Sequence, residues 1–257
     1  SFISLINVET MIPETHPIRV IKRMCDEVLA RLSPHLDRIY AADGAPSIPP
    51  ETLLKGKVLQ ALYTVRSDRQ LCDRLKTDLL FRWFVDLPLD TEVFDASTYS
   101  KNQQRLIQHQ VAELFFTAVV ELARHHGWVS NEHFSVDGTL IEAWASQKSF
   151  RPKDGSGGSG SGGGDFRGQL RRNDTHASTT DPDARLYRKG HSQDAKLSYM
   201  GHVVIENRNA LVMACDLSVA SGFAEREVAA RLLERTPRNR RATVGADKAY
   251  DTRDFVA

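Results

Sequence analysis

The feature that most constrains the fold of this chain is a change in hydrophobic period near His133. Before this point apolar residues recur every three or four positions, which predicts amphipathic helices. After it, Phe134 and Val136 alternate with polar neighbours, which predicts a β-strand. We therefore expect an α+β or α/β chain, with a helical N-terminal domain at about 1–130 and a mixed-sheet domain at about 131–257.

The first domain has clear signals for helix boundaries. Prolines suited to a first helical turn precede apolar runs after Pro17 and Pro50. Further helices are expected to start after Ser67, near Ser97 and at about His109, and Gly127 is placed to stop the last one. Ser67 and Gln70 have capping-box spacing, and their helix is expected to continue into the aromatic residues at 81–84, which we interpret as core.

The second domain has a recognisable order of elements. A strand ends at Asp137, a basic insertion spans about 148–195, and a predicted hairpin and helix lead to a strand at Ala242–Ala246 that delivers Asp247. The glycine-serine tract at 155–164 predicts a flexible insertion, with about 150–180 the least ordered part. This is the opening order of the ribonuclease H-like fold, in which a right-handed crossover makes the two acid-bearing strands parallel neighbours.

Composition restricts the function classes. The formal charge is only +1, so any contact with nucleic acid must use local patches, such as the ten Lys and Arg against six Asp between 148 and 196. The three cysteines are scattered without metal-ligand spacing, and we interpret them as reduced core residues. Without an apolar run of membrane-spanning length or a signal-peptide pattern, the expected setting is cytoplasmic.

Several separated motifs resemble one family. SVDGTLIEAWAS at 135–146, DPDARLYRKG at 181–190 and VGADKAYD at 244–251 resemble signatures of bacterial insertion-sequence transposases of the DDE type. The group is the one named for the fifth insertion sequence. The stretches RSDRQLCDRL, LLFRWFVDL and DASTYSKNQQRL resemble the helical domain that precedes catalysis in that family.

The resemblance implies DNA transposition: binding of terminal inverted repeats and target DNA, then metal-dependent phosphodiester hydrolysis and strand transfer. Two Mg²⁺ or Mn²⁺ ions are expected, with Asp137 bridging both and Asp247 binding one of them. It also implies a homodimer on paired DNA ends and a nucleoid-associated location. Phosphate contacts are expected from a group of basic residues, Arg185, Arg188, Lys189, Lys196 and Lys248.

The family's third acid, a Glu on a later helix, belongs to a region that this sequence does not contain, so the ribonuclease H-like domain is expected to be incomplete. The chain is then predicted to bind DNA in a salt-sensitive way but to nick it little. Robust nicking would mean that another acid completes the site, with Glu142 the first suspect. Otherwise we interpret Glu142 as a nearby polar residue, Trp144 as packing, and His125 and His126 as helix-end residues.

Two other functions remain open at this stage. The chain is alternatively an inactive remnant of a transposase that still binds DNA. A weaker alternative is a metal-dependent nuclease without strand-transfer ability, which would give hydrolysed products and never joined ones.

Overall fold

The computed structural model describes residues 7–39, 47–154, 171–188, 190, 194–239 and 241–256, except the side chains at 254 and 256. The chain divides into two compact units, Ser1–His126 and Gly127–Ala257. The first contains helices, and the second contains a mixed sheet with helices. The predicted α+β class with an N-terminal helical region is therefore confirmed.

Helices α1 to α7 build the first unit. Their bounds are Val8–Met11, Pro17–Ile39, Pro50–Leu62, Asp68–Thr77, Leu79–Phe84, Ala96–Gln108 and Val111–His125. Gly127 follows α7 with a φ of 70°, a backbone conformation that glycine adopts without steric cost. The predicted C-terminal stop at this glycine is confirmed.

The helix expected to run through the aromatic stretch is two helices. Ser67 caps α4 as predicted, with its Oγ accepting a hydrogen bond from the Gln70 backbone N–H at 3.2 Å. The helix then stops because Asp78 is extended and its carboxylate caps α5, accepting from the N–H groups of Leu80 and Phe81. The aromatic residues Phe81 and Phe84 are fully buried, so their interpretation as core is confirmed.

Gly56 lets α3 and α6 approach each other closely. A Cβ at this position would lie 2.3 Å from the hydroxyl oxygen of Tyr99, which is itself fully buried and donates to the Leu53 carbonyl at 3.1 Å. No side chain fits between these two helices without displacing the tyrosine ring.

We expect Gly56→Ala to destabilise the helical unit by about 1–3 kcal/mol, because an added methyl group overpacks a closed core. The measurement is urea denaturation followed by far-ultraviolet circular dichroism. Tyr99→Phe provides the matched background, since removing the hydroxyl should reduce the cost of the alanine. An equal cost of Gly56→Ala in both backgrounds would contradict this account.

The second unit is built on a five-stranded sheet. Its strands are β1 His133–Glu142, β4 Arg185–Tyr187, β5 Lys196–Glu206, β6 Leu211–Val219 and β7 Thr243–Gly245. Strand β5 pairs antiparallel with β1 and with β6, and β7 pairs parallel with β1. The predicted hairpin and the predicted parallel neighbours are confirmed, although β7 is shorter than the expected strand at 242–246.

Helix α8, Ala224–Arg235, connects β6 to β7 and covers one face of the sheet. Its buried residues are Ala224, Val228, Ala229, Leu232 and Leu233. Helix α9 follows at Arg253–Val256. Because α8 carries the chain from one edge of the sheet back to β1, it sets which strand ends meet.

The insertion between β1 and β5 differs from the expected flexible segment. Its described ends contain β2, Phe150–Pro152, paired antiparallel with β3, His176–Ser178, while β4 joins the edge of β5. The buried side chains of Phe150, Ala184 and Leu197 pack together and hold these parts of the insertion in a fixed structure. The predicted glycine-serine tract at 155–164 lies outside the described residues.

The cysteine prediction holds for two of three residues. Cys25 and Cys72 are buried and reduced in the helical unit, whereas Cys215 on β6 is exposed. Strand β6 alternates between the face under α8 and the open face, and Cys215 lies on the open one, opposite Val203 of β5. Its interpretation as a core residue is therefore wrong.

Candidate active site

Asp137 lies near the middle of β1, which continues to Glu142, so the prediction that the strand ends at this acid is wrong. Its side chain points away from the buried face. Its neighbours Val136 and Gly138 are buried, whereas Asp137 is exposed. Its Oδ1 accepts a hydrogen bond from the Gly138 N–H at 2.8 Å. Strand alternation thus leaves one carboxylate oxygen available on an open surface.

Asp247 lies two residues after the end of β7. The parallel ladder ends where Ser135 pairs with Gly245, and Asp137 and Asp247 each follow that last pair by two residues. Asp247 is exposed and caps the short 3-10 turn Lys248–Tyr250, with its Oδ1 accepting from the Ala249 N–H at 2.8 Å. Neither aspartate uses its Oδ2 in a hydrogen bond or ion pair with the part of the chain that is described.

A third acid, Glu225, lies close to the same strand. It belongs to the first turn of α8, and a Cβ built on Gly138 would be 2.8 Å from its Cγ and 2.9 Å from its Oε1. The next residue, Arg226, donates to the Ala249 carbonyl at 3.3 Å and so connects α8 to the turn after Asp247. Sequence reasoning missed Glu225, because nothing in its local motif distinguishes it from other helix-start acids.

Tyr250 places a buried phenol beside these acids. Its side chain is 2% exposed, and its hydroxyl has no hydrogen-bond partner among the described residues. Burial raises the pKa of this phenol, and the negative charges of Glu225 and of the two aspartates raise it further. Tyr250 therefore keeps its proton at neutral pH and is available as a hydrogen-bond donor.

The oxygen ligands at this position are the kind that Mg²⁺ and Mn²⁺ prefer. Within the described ranges, no group of three or more His, Cys, Asp or Glu side chains is arranged to hold a metal ion directly. The arrangement thus offers two available aspartate oxygens and an unpartnered buried hydroxyl, and it does not present a preformed cage.

The candidate phosphate-binding residues separate into two places. Lys248 is exposed next to Asp247. Arg185 lies on β4 and Arg188 follows the end of that strand. Lys196 begins β5 and pairs with Tyr187 of β4. Asp137 pairs with Val203 of β5, whereas Arg185 pairs with Ser198 and Lys196 begins the strand, so this second group lies about 17–23 Å along β5 from Asp137. Lys189 lies outside the described residues.

The structure also gives the positions of the remaining residues that the sequence analysis discussed: Glu142, Trp144, His125 and His126. Glu142 forms an exposed ion pair with Lys196, which agrees with its interpretation as a nearby polar residue. Trp144 is 101% exposed, so its interpretation as packing is wrong. His125 ends α7 and His126 caps it, as expected for helix-end residues.

An open groove of about 610 Å³ follows β7 and the start of β1. Its lining comes from all three residues of β7, from the first two residues of β1 and from the β5–β6 turn, and includes His133, Asn207, Arg208 and Thr243. It contains none of the candidate catalytic residues.

The comparison with known protein families gives a match in the helical unit. Residues 6–105 match the family model Transposase domain (DUF772). The match supports a transposase role, which implies DNA as a partner. It lies within the first compact unit and covers well under half of the chain, so it does not include the acids.

No solved structure matches the chain. In the described ranges, no single helix is long and apolar enough to cross a membrane; only the bent pair α6 and α7, at 69°, passes on length and composition together. Because no solved structure matches, any assignment of this chain to one group of transposases must come from its own sequence and structure.

Proposed function

We propose that this chain acts in DNA transposition, by metal-dependent hydrolysis of phosphodiesters and strand transfer, with Asp137 and Asp247 as the catalytic acids. One observation supports the proposal: β1 and β7 are parallel neighbours, and each aspartate lies two residues beyond their last pair, Ser135 with Gly245. The transposase-domain match in the helical unit supports the same function from an independent part of the chain.

The proposed fold of the second unit is ribonuclease H-like, in the form used by DDE transposases of the insertion-sequence group. Its support is the order of β1, the β5–β6 hairpin, α8 and β7, with the last strand parallel to the first. A crossover helix between parallel neighbours brings together strands whose acids are 110 positions apart in sequence, and this supports a shared site for Asp137 and Asp247.

The Oδ2 atoms of Asp137 and Asp247 are the ligands that we assign to Mg²⁺ or Mn²⁺. Two such ions supply charge neutralisation at phosphorus and activation of an attacking water or 3′-hydroxyl. The Oδ1 atoms hold the side chains in place through the Gly138 and Ala249 N–H groups. These backbone contacts reduce the rotamer freedom that each aspartate loses when a cation binds.

DNA is proposed to cross the sheet unit between the two groups of basic residues. Lys248 would contact phosphates near the acids, and Arg188 would contact them beyond β4, with Arg185, Lys189 and Lys196 adding to that group. Lys196 must exchange its Glu142 partner for a phosphate, so its contribution is smaller than that of exposed Arg188. A homodimer on paired DNA ends, at the nucleoid, completes the proposal.

The second candidate is a DNA-binding remnant without chemistry. It is favoured by one observation, that no three acids among the described residues are arranged to hold an ion. The two candidates share the DNA-binding step and differ only in whether phosphodiester bonds break.

The test uses residues 1–257, alone and extended by any coding sequence that continues after Ala257, with labelled duplexes taken from the DNA that flanks the gene. With Mg²⁺ or Mn²⁺ the active protein should give nicked and joined products, and with EDTA it should give none. Residues 1–257 should shift the duplex in a gel. A shift without products from either protein would identify the remnant, hydrolysed products alone would identify a nuclease, and neither shift nor product would overturn the proposal.

A further inference from the structure

Helices α3 and α4 of the helical unit are joined by a short, well-defined turn. Tyr63 caps the end of α3 and Ser67 caps the start of α4, so three residues lie between the two caps. The middle one, Val65, is buried, and its N–H donates to the Gln60 carbonyl at 2.9 Å. Thr64 has a φ of 53°, a left-handed conformation that β-branched residues rarely adopt. A connection of this length is found in the DNA-binding helix-turn-helix, whose second helix enters the major groove.

The buried side of α4 fixes this helix against its neighbours. Its buried residues are Leu71, Cys72 and Leu75. Leu71 packs on α3 at Gly56, where an added Cβ would lie 3.1 Å from the Leu71 Cδ2. Asp68, in the first turn, accepts hydrogen bonds from Gln60 of α3 at 3.1 Å and from Ser100 of α6 at 2.5 Å. Side chains on the other side of α4 therefore have a rigid support, which a helix that reads DNA needs.

The exposed side of α4 is polar along its whole length. Its exposed residues are Arg69, Gln70, Asp73, Arg74, Lys76 and Thr77. Asp73 forms an ion pair with Lys76 at 3.1 Å. The guanidinium of Arg74 lies over the Phe81 ring, 5.2 Å from its centroid, and the Gln70 Oε1 accepts from a backbone N–H just before the helix at 3.1 Å. Contacts within the helical unit therefore explain these four side chains of α4.

Arg66 and Arg69 differ from these neighbours. Both are exposed at the start of α4, and neither guanidinium has a hydrogen-bond or ion-pair partner in the part of the chain that the structure describes. A cation at this end of a helix is repelled by the positive end of the helix dipole, so the position is unfavourable unless an acceptor is bound. The guanidinium fork matches the O6 and N7 acceptors that guanine presents in the major groove. The two arginines lie where a recognition helix contacts base edges.

We propose that α4 reads DNA sequence in the major groove, with Arg69 donating to O6 and N7 of a guanine and Arg66 contacting a neighbouring base. The ten residues of α4 span about 15 Å, and the groove is about 12 Å wide, so the helix fits it. The transposase-domain match at 6–105 includes both α3 and α4. Asp73, which is paired with Lys76, is given no contact with a base.

This inference rests on the proposed function for its partner, DNA. It adds a sequence preference to the phosphate contacts proposed for the sheet unit, because phosphate contacts carry no sequence information. Arg69→Ala should therefore change which duplex is preferred, whereas Arg188→Ala should weaken the binding of all duplexes alike.

The test measures binding of residues 1–257 to overlapping labelled duplexes that cover the DNA flanking the gene, by fluorescence anisotropy. The duplex that binds most tightly is then prepared with 7-deazaguanine in place of guanine, which removes N7 and preserves base pairing and phosphates. The parent should bind this modified duplex about tenfold more weakly, because a bidentate guanine contact is lost.

Arg69→Ala should bind the unmodified and modified duplexes alike. Arg69→Lys keeps the charge but lacks the fork of donors, so it should also lose most of the preference. Arg23→Ala is the matched control, since Arg23 is an exposed arginine on α2, and it should keep the tenfold preference of the parent. Circular dichroism establishes that each variant is folded, and Arg69→Lys tests the same contact if Arg69→Ala fails to fold.

The outcomes separate this inference from the proposed function. If the parent binds DNA but does not distinguish the two duplexes, the inference is wrong and the proposed phosphate contacts and chemistry stand. If the parent distinguishes them and both Arg69 variants do so equally well, the inference is also wrong. If the parent binds none of the duplexes, both the inference and the proposed function are overturned.

Discussion

Asp137→Asn and Asp247→Asn should each lower metal-dependent nicking of DNA by the protein by about 10³-fold or more. Asparagine preserves the size of the side chain and its local hydrogen bond but removes the charge that holds a divalent ion. Losing that ion removes several kcal/mol of transition-state stabilisation, and about 4 kcal/mol corresponds to 10³-fold. The measurement is the initial rate of nicking of a labelled duplex in Mg²⁺ and in Mn²⁺.

The control for this pair is Asp73→Asn in the helical unit. Asp73 is exposed and paired with Lys76 three residues later on the same helix, so its replacement should leave nicking unchanged. DNA binding by all three variants should stay within a few-fold of the parent. Nicking by Asp137→Asn at more than a tenth of the parental rate would contradict the catalytic assignment.

DNA affinity should fall roughly 500-fold between about 50 and 200 mM salt. Five phosphate contacts give a slope of about −4.5 in log affinity against log salt, because each neutralised phosphate releases bound counterions. The five residues are the proposed contacts Arg185, Arg188, Lys189, Lys196 and Lys248. The measurement is fluorescence anisotropy of a labelled duplex titrated with residues 1–257 at several salt concentrations.

Single replacements identify which residues contribute to that slope. Arg188→Ala should reduce its magnitude by about 1, whereas Lys196→Ala should reduce it less because Lys196 is already paired with Glu142. Arg208→Ala is the matched control: Arg208 is exposed in the β5–β6 turn, at the opposite end of the sheet from β4. A slope that Arg188→Ala leaves unchanged would remove this residue from the proposed DNA surface.

Local sequence signals predicted most of the elements because they depend on short-range chemistry. Helix α8 occupies the residues expected from its apolar spacing, and Ser67 caps α4 as its spacing to Gln70 indicated. The break at Asp78 was missed, because an aspartate inside a helical pattern is compatible with both a continuous helix and a new cap. The strands within the insertion were missed because each is only three residues long.

Around the candidate site too, sequence reasoning found some residues and misplaced others. The sequence could nominate both aspartates, because Asp247 follows an apolar strand pattern and Asp137 interrupts one, although β1 continues beyond Asp137 to Glu142. Trp144 and Cys215 were assigned to the interior from their residue types, yet both are exposed. Residue type is a weak guide where a strand end or an uncovered sheet face leaves apolar atoms in contact with solvent.

Hydrophobic period and turn residues are local properties, so they predicted the change from helices to sheet, the order of the elements and the two aspartates. The parallel pairing of β1 with β7 was expected from that order, but its register depends on the path of α8 and is a property of the folded chain. Only the tertiary structure decided the place of Glu225, 88 positions after Asp137, where the missing side chain of Gly138 lets the carboxyl group reach the strand. Such proximity depends on the packing of distant segments, and no window of neighbouring residues contains it.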